Sequence, residues 1–169
     1  MIIKLEDLAK IREKHKDEKI VLTGGTFDML HVGHKRYLEA VSALGDIVVV
    51  MMSGDARTKA RKGPKRPIIP ENDRAEMLDD SRLVDYVFID PAINPPNVID
   101  PVHAEIVATL YPDVYATDGP DPRFWDVMDE SKLVVISQER SGGYPQAAGR
   151  ENASTSAIIK HILELEQEV

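Results

Sequence analysis

The sequence contains no cysteine, which excludes disulfide bonds and thiolate metal sites and leaves the redox compartment open on this ground. It also lacks a long apolar run, since none approaches the roughly 20 residues that a membrane-spanning helix needs. The N-terminal stretch MIIKLEDLAKIREKHKDEK is dense in charge of both signs, unlike a secretory leader. From these absences we expect a soluble, cytoplasmic protein with no membrane partner.

An excess of positive charge is missing as well, because 21 Lys and Arg residues stand against 29 Asp and Glu, for a formal net charge of −8. A general nucleic-acid binder normally presents a basic face, so we expect no nucleic-acid partner. A small anionic substrate would need a local basic pocket. The 169 residues, 43% of them hydrophobic, suit a single domain with one core. We expect it to span 1–169, with an N-terminal helix in 1–18 and the core of the domain in 19–169.

Hydrophobic periodicity indicates alternating strands and helices. KIVLT and DIVVVMM are continuous β-branched runs of the kind that is buried on both faces of a parallel sheet, and the helical stripe of HKRYLEAVSAL lies between them. After a charged loop from Gly54 to Pro67, further elements are predicted in ENDRAEMLDDS, DYVFID, VHAEIVATL, DVYAT, KLVVIS and STSAIIKHILELEQ. This alternation predicts an α/β fold, a single Rossmann-like doubly wound parallel sheet with ligands outside the carboxyl ends of its strands.

The segment GGTFDMLHVGH joins the first predicted strand to the first predicted helix. Gly24 and Gly25 let a ligand approach the backbone closely, and the helix N-terminus offers unpaired N–H groups and the positive end of its dipole. His31 and His34 are separated by about one turn, so both rings can point toward one ligand. Gly33 between them leaves room above the turn. The segment therefore favours a phosphate site.

Other interpretations of the two histidines compete with a phosphate site. A His-x-x-His pair can bind zinc, but neither a nearby cysteine nor an HExxH pattern supplies a third ligand, so we predict no metal-ligating residue. The pair can also make only local hydrogen bonds at a helix start, an interpretation that the Gly-Gly pair and Asp28 weaken. Dinucleotide binding through GxGxxG, a P-loop and a serine nucleophile elbow are excluded, because none of these patterns occurs in the chain.

Four segments, in order along the chain, resemble the cytidylyltransferase-like nucleotidyltransferase family. GTFDMLHVGH resembles its GxFDxxHxGH signature, RPIIPENDRAEML its segment with an arginine opening a helix, RLVDYV its [RK]xVDxV segment and ENASTSAIIKHI its C-terminal signature. The chain is identified as a member of this family. The resemblance implies that the phosphate of a small phosphorylated alcohol attacks the α-phosphorus of a nucleoside triphosphate and releases pyrophosphate.

The resemblance also implies roles for the residues at matching positions. His31 and His34 would contact the triphosphate and stabilise the α-phosphate in the transition state, and Lys59 and Lys62 are candidates for the family's phosphate-neutralising lysine. Their loop is also the expected mobile lid. The residues implied in nucleotide binding are Gly24, Gly25, Thr26, Phe27, Asp28, Gly33, Arg74, Asp118, Ser154, Thr155 and Ser156. Those implied in acceptor binding are Arg82 and either Arg140 or Arg150.

Magnesium and a second copy of the chain are the further partners that we expect. A triphosphate brings about four negative charges to an acidic protein, so Mg²⁺ should enter with it and retain several waters. Asp28 is the nearby carboxylate, and it can equally cap the turn and orient backbone amides. Family members commonly dimerise through the region of RLVDYVFID, in which Arg82 and Asp85 can pair locally or across an interface. This resemblance implies a homodimer.

The subfamily stays open between three acceptors. The layout is most similar to heptose 1-phosphate adenylyltransferase domains, but these usually show NGxFD and KGGDY where this chain has GGTFD and ATDGPDP, with Thr117 at or near the place of the lysine. The GTFD text and Arg82 favour glycerol-3-phosphate cytidylyltransferases, and the stretch from Arg66 to Arg74 resembles archaeal-type FAD synthases. Both ATP and CTP therefore remain candidate donors.

Two readings of other classes are less well supported by the sequence. A catalytically inactive nucleotide-binding module would be expected to lose a histidine or a phosphate-binding lysine, and the chain has lost neither. A ligase that forms an amide through an adenylate is disfavoured, because the resemblance to pantothenate-synthetase-like relatives stops at the histidine motif.

Overall fold

The computed structural model describes residues 1–93, 100–119, 128–136 and 154–167. Within these ranges the strands are β1 (Ile20–Gly25), β2 (Ile47–Ser53), β3 (Tyr86–Asp90), β4 (Val114–Thr117) and β5 (Leu133–Val135). The helices are α1 (Leu8–Lys14), α2 (Val32–Ser42), α3 (Asp55–Lys62), α4 (Glu71–Asp79), α5 (Pro101–Leu110) and α6 (Thr155–Gln167), with 3-10 turns at Leu5–Asp7 and Glu130–Lys132. No helix in this part of the chain has both the length and the apolar character needed to cross a bilayer.

All strand neighbours pair in parallel, in the order β3-β2-β1-β4-β5. The chain runs outward from β1 to β3 and then returns past β1 to add β4 and β5 on the other side. This reversal creates a topological switch point beside β1, where doubly wound sheets bind their ligands. The predicted Rossmann-like fold is confirmed, and the carboxyl end of β1 is the place at which the chain carries GGTFD.

Both faces of the sheet are covered because successive residues of the buried strands point to opposite sides. Leu22 belongs to the cluster that α1 and α5 complete, whereas Val21 belongs to the cluster that α2 and α4 complete. The continuous apolar runs of β1 and β2 are thus explained by burial on two sides. The helices packed on both faces of the sheet fix the strand ends on which the site is built.

The N-terminal segment protects one edge of the sheet. The N–H of Ile3 donates to the Val87 carbonyl at 2.9 Å, and the N–H of Val87 donates to the Met1 carbonyl at 3.0 Å. This short parallel bridge covers the outer edge of β3, which would otherwise expose unpaired backbone groups. The helix expected within 1–18 is therefore shorter than predicted, since α1 covers Leu8–Lys14 and the first residues extend along the sheet.

The expected charged loop from Gly54 to Pro67 is wrong over its first half, where α3 forms. Asp55–Lys62 has no apolar stripe for periodicity to detect. The helix is held instead by polar contacts, because the N–H of Asp55 donates to Glu71 Oε2 at 2.6 Å and the Asp55 carboxylate accepts from Arg74 Nη2 at 2.7 Å. Ion pairing gives the helix the tertiary contacts that burial of an apolar face normally supplies.

Candidate active site

His31 and His34 begin α2 directly above the carboxyl end of β1. His31 is the N-cap, with extended backbone at φ −139° and ψ 171°, and its Nδ1 accepts from the Gly33 N–H at 3.1 Å. Because Nδ1 accepts, the neutral ring carries its proton on Nε2. The two rings stack with centroids 3.8 Å apart, and His34 also lies 5.3 Å from the Phe27 ring. The pair forms one polar surface at the helix start.

Both imidazoles are held in the neutral form. Burial lowers the pKa of His31, and burial, the neighbouring His31 and the Lys62 charge lower the pKa of His34 to about 3. Nδ1 of His34 is buried and makes no hydrogen bond within the described residues. The His34 ring is packed between the rings of His31 and Phe27. A neutral ring can donate a hydrogen bond from its N–H to a phosphate oxygen.

Asp28 anchors the turn rather than facing the site. It is 1% exposed, and its carboxylate accepts from the N–H groups of Ile68 and Ile69 at 3.1 Å and from Arg66 Nε at 2.9 Å. Burial raises the pKa of this carboxyl, but the donors outweigh burial and lower it. These contacts fasten the segment after α3 to residues 26–34, which we call the histidine turn. This is the orienting role considered above for Asp28.

Thr26 and Arg74 fasten the other side of the same turn. The Thr26 hydroxyl accepts from Arg61 Nη2 at 2.8 Å, and its carbonyl accepts from Arg74 Nη1. Arg74 is 1% exposed and also donates to the Ser53 carbonyl at 3.0 Å and to Asp55 at 2.7 Å. Since these protein acceptors occupy its guanidinium, Arg74 supports the turn of the candidate site from behind.

The conformation and packing of the turn account for glycine at position 25, with no need to invoke a bound ligand. Phe27 and Met29 both lie in the left-handed region, at φ 51° and 52°, and Phe27 is buried against α2. A side chain at Gly25 would bring its Cβ within 2.8 Å of the Phe27 ring. Gly25 is therefore required by the packing of Phe27, which in turn supports His34. Phe27 is a structural residue of the site.

Of the two candidate lysines, the structure brings Lys62 to the site. Partial burial and the neighbouring Arg61 and Arg66 lower its pKa, while Asp28 opposes that change. The Lys62 charge also acts on His34, as the pKa of that ring shows. Lys59 and Lys62 are both exposed on α3, so the action of the Lys62 charge on His34, rather than a difference in exposure, distinguishes the two. The basic segment thus points its C-terminal residues toward the histidine turn.

The start of α6 docks on the same turn. The Thr155 hydroxyl donates to the Asp28 carbonyl at 2.5 Å and is buried. Ser154 Oγ caps the helix by accepting from the Ala157 N–H at 3.2 Å, while Ser156 is exposed. This N-terminus brings its dipole and free N–H groups beside the histidine turn.

Asp118 follows β4 at the same edge of the sheet, next to Thr117, whose hydroxyl donates to the Gly119 carbonyl at 2.7 Å. Its carboxylate acts on the Lys62 charge and raises the pKa of that lysine, against the larger effects that lower it. Asp118 therefore lies on the Lys62 side of the site.

Of the predicted acceptor residues, the structure describes Arg82 alone and does not bring it to this place. Arg82 is exposed and precedes β3, and Asp85 beside it accepts from the Val48 N–H at 2.8 Å at the amino edge of the sheet. The histidine turn is at the opposite, carboxyl edge. Arg140 and Arg150 lie outside the described residues.

Arg61 and Arg66 contact the site although the sequence did not single them out as site residues. Arg61 reaches Thr26, and Arg66 pairs with the Asp28 carboxylate at 2.8 Å through Nη2. Both belong to the basic stretch from Arg57 to Arg66, and this was the signal in the sequence by which they could have been found. Nothing in the spacing of this stretch distinguishes Arg61 and Arg66, which contact the protein, from the candidate phosphate-binding Lys62.

Comparison with known proteins agrees with this geometry. A family profile described as cytidylyltransferase-like matches residues 22–161. The "Bifunctional protein HldE" of Helicobacter acinonychis (strain Sheeba) is 38% identical over 95% of this chain and 31% of its own length. That of Helicobacter pylori (strain Shi470) is 43% identical over the same shares. The chain thus spans about a third of the length of these relatives.

Two further matches extend the comparison. The "Bifunctional protein HldE" of Citrifermentans bemidjiense is 36% identical over 90% of this chain and 28% of its own length. A crystal structure of the lipopolysaccharide core biosynthesis protein from Thermoplasma volcanium GSS1 superposes with a TM-score of 0.51 at 24% identity, covering 71% of this chain and 93% of that one. This structure shares the fold.

Proposed function

Because the chain belongs to the cytidylyltransferase-like family, we propose that it is a nucleotidyltransferase acting on ATP or CTP and a phosphorylated sugar or polyol. An oxygen of the acceptor phosphate attacks the α-phosphorus of the triphosphate. The bond from that phosphorus to the bridging oxygen breaks, and pyrophosphate leaves. The observation that carries this proposal is the stacked His31 and His34 pair. The Lys62 charge acts on His34, and the start of α6 docks on the same turn through Thr155.

The site suits a reaction that depends on charge stabilisation. Negative charge builds on phosphate oxygens during in-line transfer, so donors that are fixed in advance lower the barrier without a strong general base. His31 Nε2–H is such a donor, because its Nδ1 is already engaged by Gly33. The Lys62 ammonium supplies positive charge, and the Asp28 and Arg74 contacts hold the turn still. Each role belongs to a residue of this chain.

Heptose 1-phosphate with ATP is the substrate pair that we propose first. It rests on the sequence resemblance to heptose 1-phosphate adenylyltransferase domains. There are two alternative substrate pairs, glycerol 3-phosphate with CTP, and FMN with ATP. Each is supported by the sequence motifs given above. A nucleotide-binding module without catalysis is the alternative of another class.

A matrix of donors and acceptors tests the function. ATP, CTP, GTP and UTP are each incubated with heptose 1-phosphate, glycerol 3-phosphate or FMN, and released pyrophosphate and the nucleotidyl product are measured. We expect one pair to dominate, with release that needs both substrates. A protein lacking both site histidines through His31→Ala and His34→Ala is the control. Tight triphosphate binding with no release in any pair would support the inactive module instead.

Mg²⁺ enters in this proposal as part of the nucleotide substrate. Within the described ranges, no group of three or more His, Cys, Asp or Glu side chains is placed to hold a metal ion. The Asp28 carboxylate is engaged by Arg66 and two backbone N–H groups. These contacts support an ion that is bound mainly by phosphate oxygens and water.

A cytoplasmic homodimer completes the proposal. The outer edge of β3 at Val87 is covered by the chain's own N-terminal residues, so we propose contact through side chains near RLVDYVFID rather than strand pairing. Light scattering should give twice the monomer mass of 18.8 kDa. A monomer mass at every accessible concentration would contradict the dimer.

A further inference from the structure

Three ionisable side chains form a buried group that the proposed reaction does not use. Arg57 of α3 is 2% exposed, Asp90 at the end of β3 is 2% exposed and His103 of α5 is 0% exposed. Arg57 Nε lies 3.7 Å and His103 Nε2 3.1 Å from the same oxygen, Asp90 Oδ2. The other carboxylate oxygen accepts from the Ala92 N–H at 3.0 Å. We call Arg57, Asp90 and His103 the Asp90 cluster.

Burial of such a group demands a reason other than stability. Removing charged side chains from water is costly, and well-packed apolar residues of similar volume often stabilise a protein as much or more. What a buried ionic contact does provide is a fixed relative position of the elements that carry it. The Asp90 cluster joins three elements, because Arg57 comes from α3, Asp90 from β3 and His103 from α5.

The helix that this cluster holds is the one that carries charge to the candidate site. Helix α3 has eight residues and is about 12 Å long at 1.5 Å per residue, too short to bend appreciably. Its first turn is held by Asp90 through Arg57, and by α4 through Asp55. Its last turn presents Arg61, which donates to Thr26 at 2.8 Å, and Lys62, whose charge acts on His34.

We infer that Asp90 is a positioning residue: by holding Arg57, and being held in turn by His103, it sets where α3 places Arg61 and Lys62 against the bound triphosphate. The inference rests on the proposed function, in which Lys62 meets phosphate. Asp90 itself is too deeply buried to touch a ligand. It acts through the helix.

The substitution that tests this is Asp90→Asn, which keeps the size of the side chain and removes its charge. We expect KM for the triphosphate to rise about tenfold, since displaced cationic groups lose binding to phosphate, while KM for the acceptor stays within about twofold. Arg57→Lys, which keeps a positive charge, should show a smaller rise. His103→Gln should give the same direction of change as Asp90→Asn.

Asp113→Asn is the matched control. Asp113 also pairs with an arginine, Arg12, at 3.1 Å and also accepts a backbone N–H, that of Ile20, at 2.8 Å. It precedes β4, at the amino edge of the sheet. The control variant should lose stability without any change in KM for the triphosphate.

A readout independent of turnover follows Lys62 directly. Lysines are reductively methylated with ¹³C, the Lys62 signal is assigned by Lys62→Arg, and its pKa is measured by NMR. In Asp90→Asn the Lys62 pKa, lowered in the parent protein, should move back toward its ordinary value, and in Asp113→Asn it should not. Inorganic tripolyphosphate, measured by calorimetry, should bind Asp90→Asn about tenfold more weakly than the parent protein.

The outcomes separate this inference from the proposed function. An unchanged Lys62 pKa and unchanged tripolyphosphate binding in Asp90→Asn overturn the inference, and so do equal changes in Asp113→Asn. If Asp90→Asn fails to fold, the same measurements on Arg57→Lys and His103→Gln decide. If the parent protein releases no pyrophosphate with any substrate pair, the proposed function fails, while the Lys62 pKa and tripolyphosphate binding still decide about Asp90.

Discussion

The imidazole rings of His31 and His34 stack at an interplanar angle of 25°, with their centroids 3.8 Å apart, at the first turn of α2. Two rings so close together cannot both carry a charge cheaply, because like charges in a partly buried site repel each other. The pair is therefore a set of neutral donors in the ligand-free protein. The protonation state of the two rings before ligand binding determines several of the predictions below.

Removing either histidine should slow the reaction strongly. His31→Ala and His34→Ala should each lower kcat by about a hundredfold or more, the scale seen when a donor fixed at a developing charge is deleted. His15→Ala is the matched control, because His15 is also buried and hydrogen-bonded, to Tyr86 at 2.8 Å, but at the amino edge of the sheet. It should lower the melting temperature and leave kcat intact. Site variants that retain kcat and only melt earlier would show a structural pair.

Acid should destabilise the protein in part through His34. Its pKa of about 3 in the folded state lies below the value near 6.5 of the unfolded chain, so the unfolded state binds the proton first as pH falls. The contribution to stability is complete above about pH 6.5 and is lost between about pH 6.5 and 3. Denaturant unfolding at several pH values should show a steeper loss for the parent protein than for His34→Gln.

Ring resonances of His34 provide the direct check of that pH dependence. In the folded protein without ligand they should stay unchanged from about pH 8 to 5, and in denaturant they should titrate near the value of about 6.5 for an unfolded histidine. A folded-state midpoint above pH 6 would contradict a neutral, buried ring.

Loss of the Asp28 charge should unfold the turn more easily. Asp28→Asn leaves Arg66 without its partner, and breaking such a pair where it is buried costs about 3 kcal/mol. Glu39→Gln is the control, since Glu39 pairs with Lys35 on the exposed face of α2 and should change stability by less than about 1 kcal/mol. Unfolding in urea measures both. Equal free energies of unfolding for the two variants would show that the Asp28 contacts contribute little.

The two lysines of α3 should differ in their effects on turnover. Lys62→Ala should lower kcat/KM by about a hundredfold, because the charge that acts on His34 and is proposed to meet phosphate is lost. Lys59→Ala removes the same charge from an exposed position about one turn earlier in the same helix and should change kcat/KM by less than about threefold. The comparison is made with the best substrate pair. A larger effect of Lys59→Ala would reverse the assignment.

Magnesium should be required and should arrive with the nucleotide. Activity is measured in EDTA and again after Mg²⁺ is added in excess, and Mg²⁺ binding to the protein alone is measured by calorimetry. We expect no turnover in EDTA, full recovery on addition and no tight binding without triphosphate. Full activity in EDTA would refute the requirement. Tight binding to the free protein would point to a resident ion.

The sequence is sufficient to predict the sheet and the position of the histidine turn. β1 and β2 are continuous apolar runs, and such runs have few alternatives to burial in a parallel sheet. His31 and His34 could be placed together because a helix start imposes their spacing. These predictions depend on local pattern, which is what one chain shows directly.

The supporting contacts could not be predicted, because they join residues far apart in the sequence. Asp90 of β3 and Arg57 of α3 meet although the whole of α4 separates them in the sequence, and Arg74 reaches Thr26 from α4. Helix α3 was missed because its stabilising contacts are ionic and leave no apolar period. Arg82 matches a family motif, yet the motif alone does not say to which edge of the sheet it belongs.

The contact between Gly25 and Phe27 makes the residue allowed at one of these positions depend on the residue at the other. A Cβ at residue 25 would lie 2.8 Å from Phe27 Cε2, and Phe27 itself is fixed in a left-handed backbone that leaves its ring little freedom to retreat. Neither residue can therefore drift alone. Among homologues, the two positions are expected to covary, with a side chain at position 25 appearing only where position 27 has lost its ring. Gly25 and Phe27 are in this sense inherited as a unit.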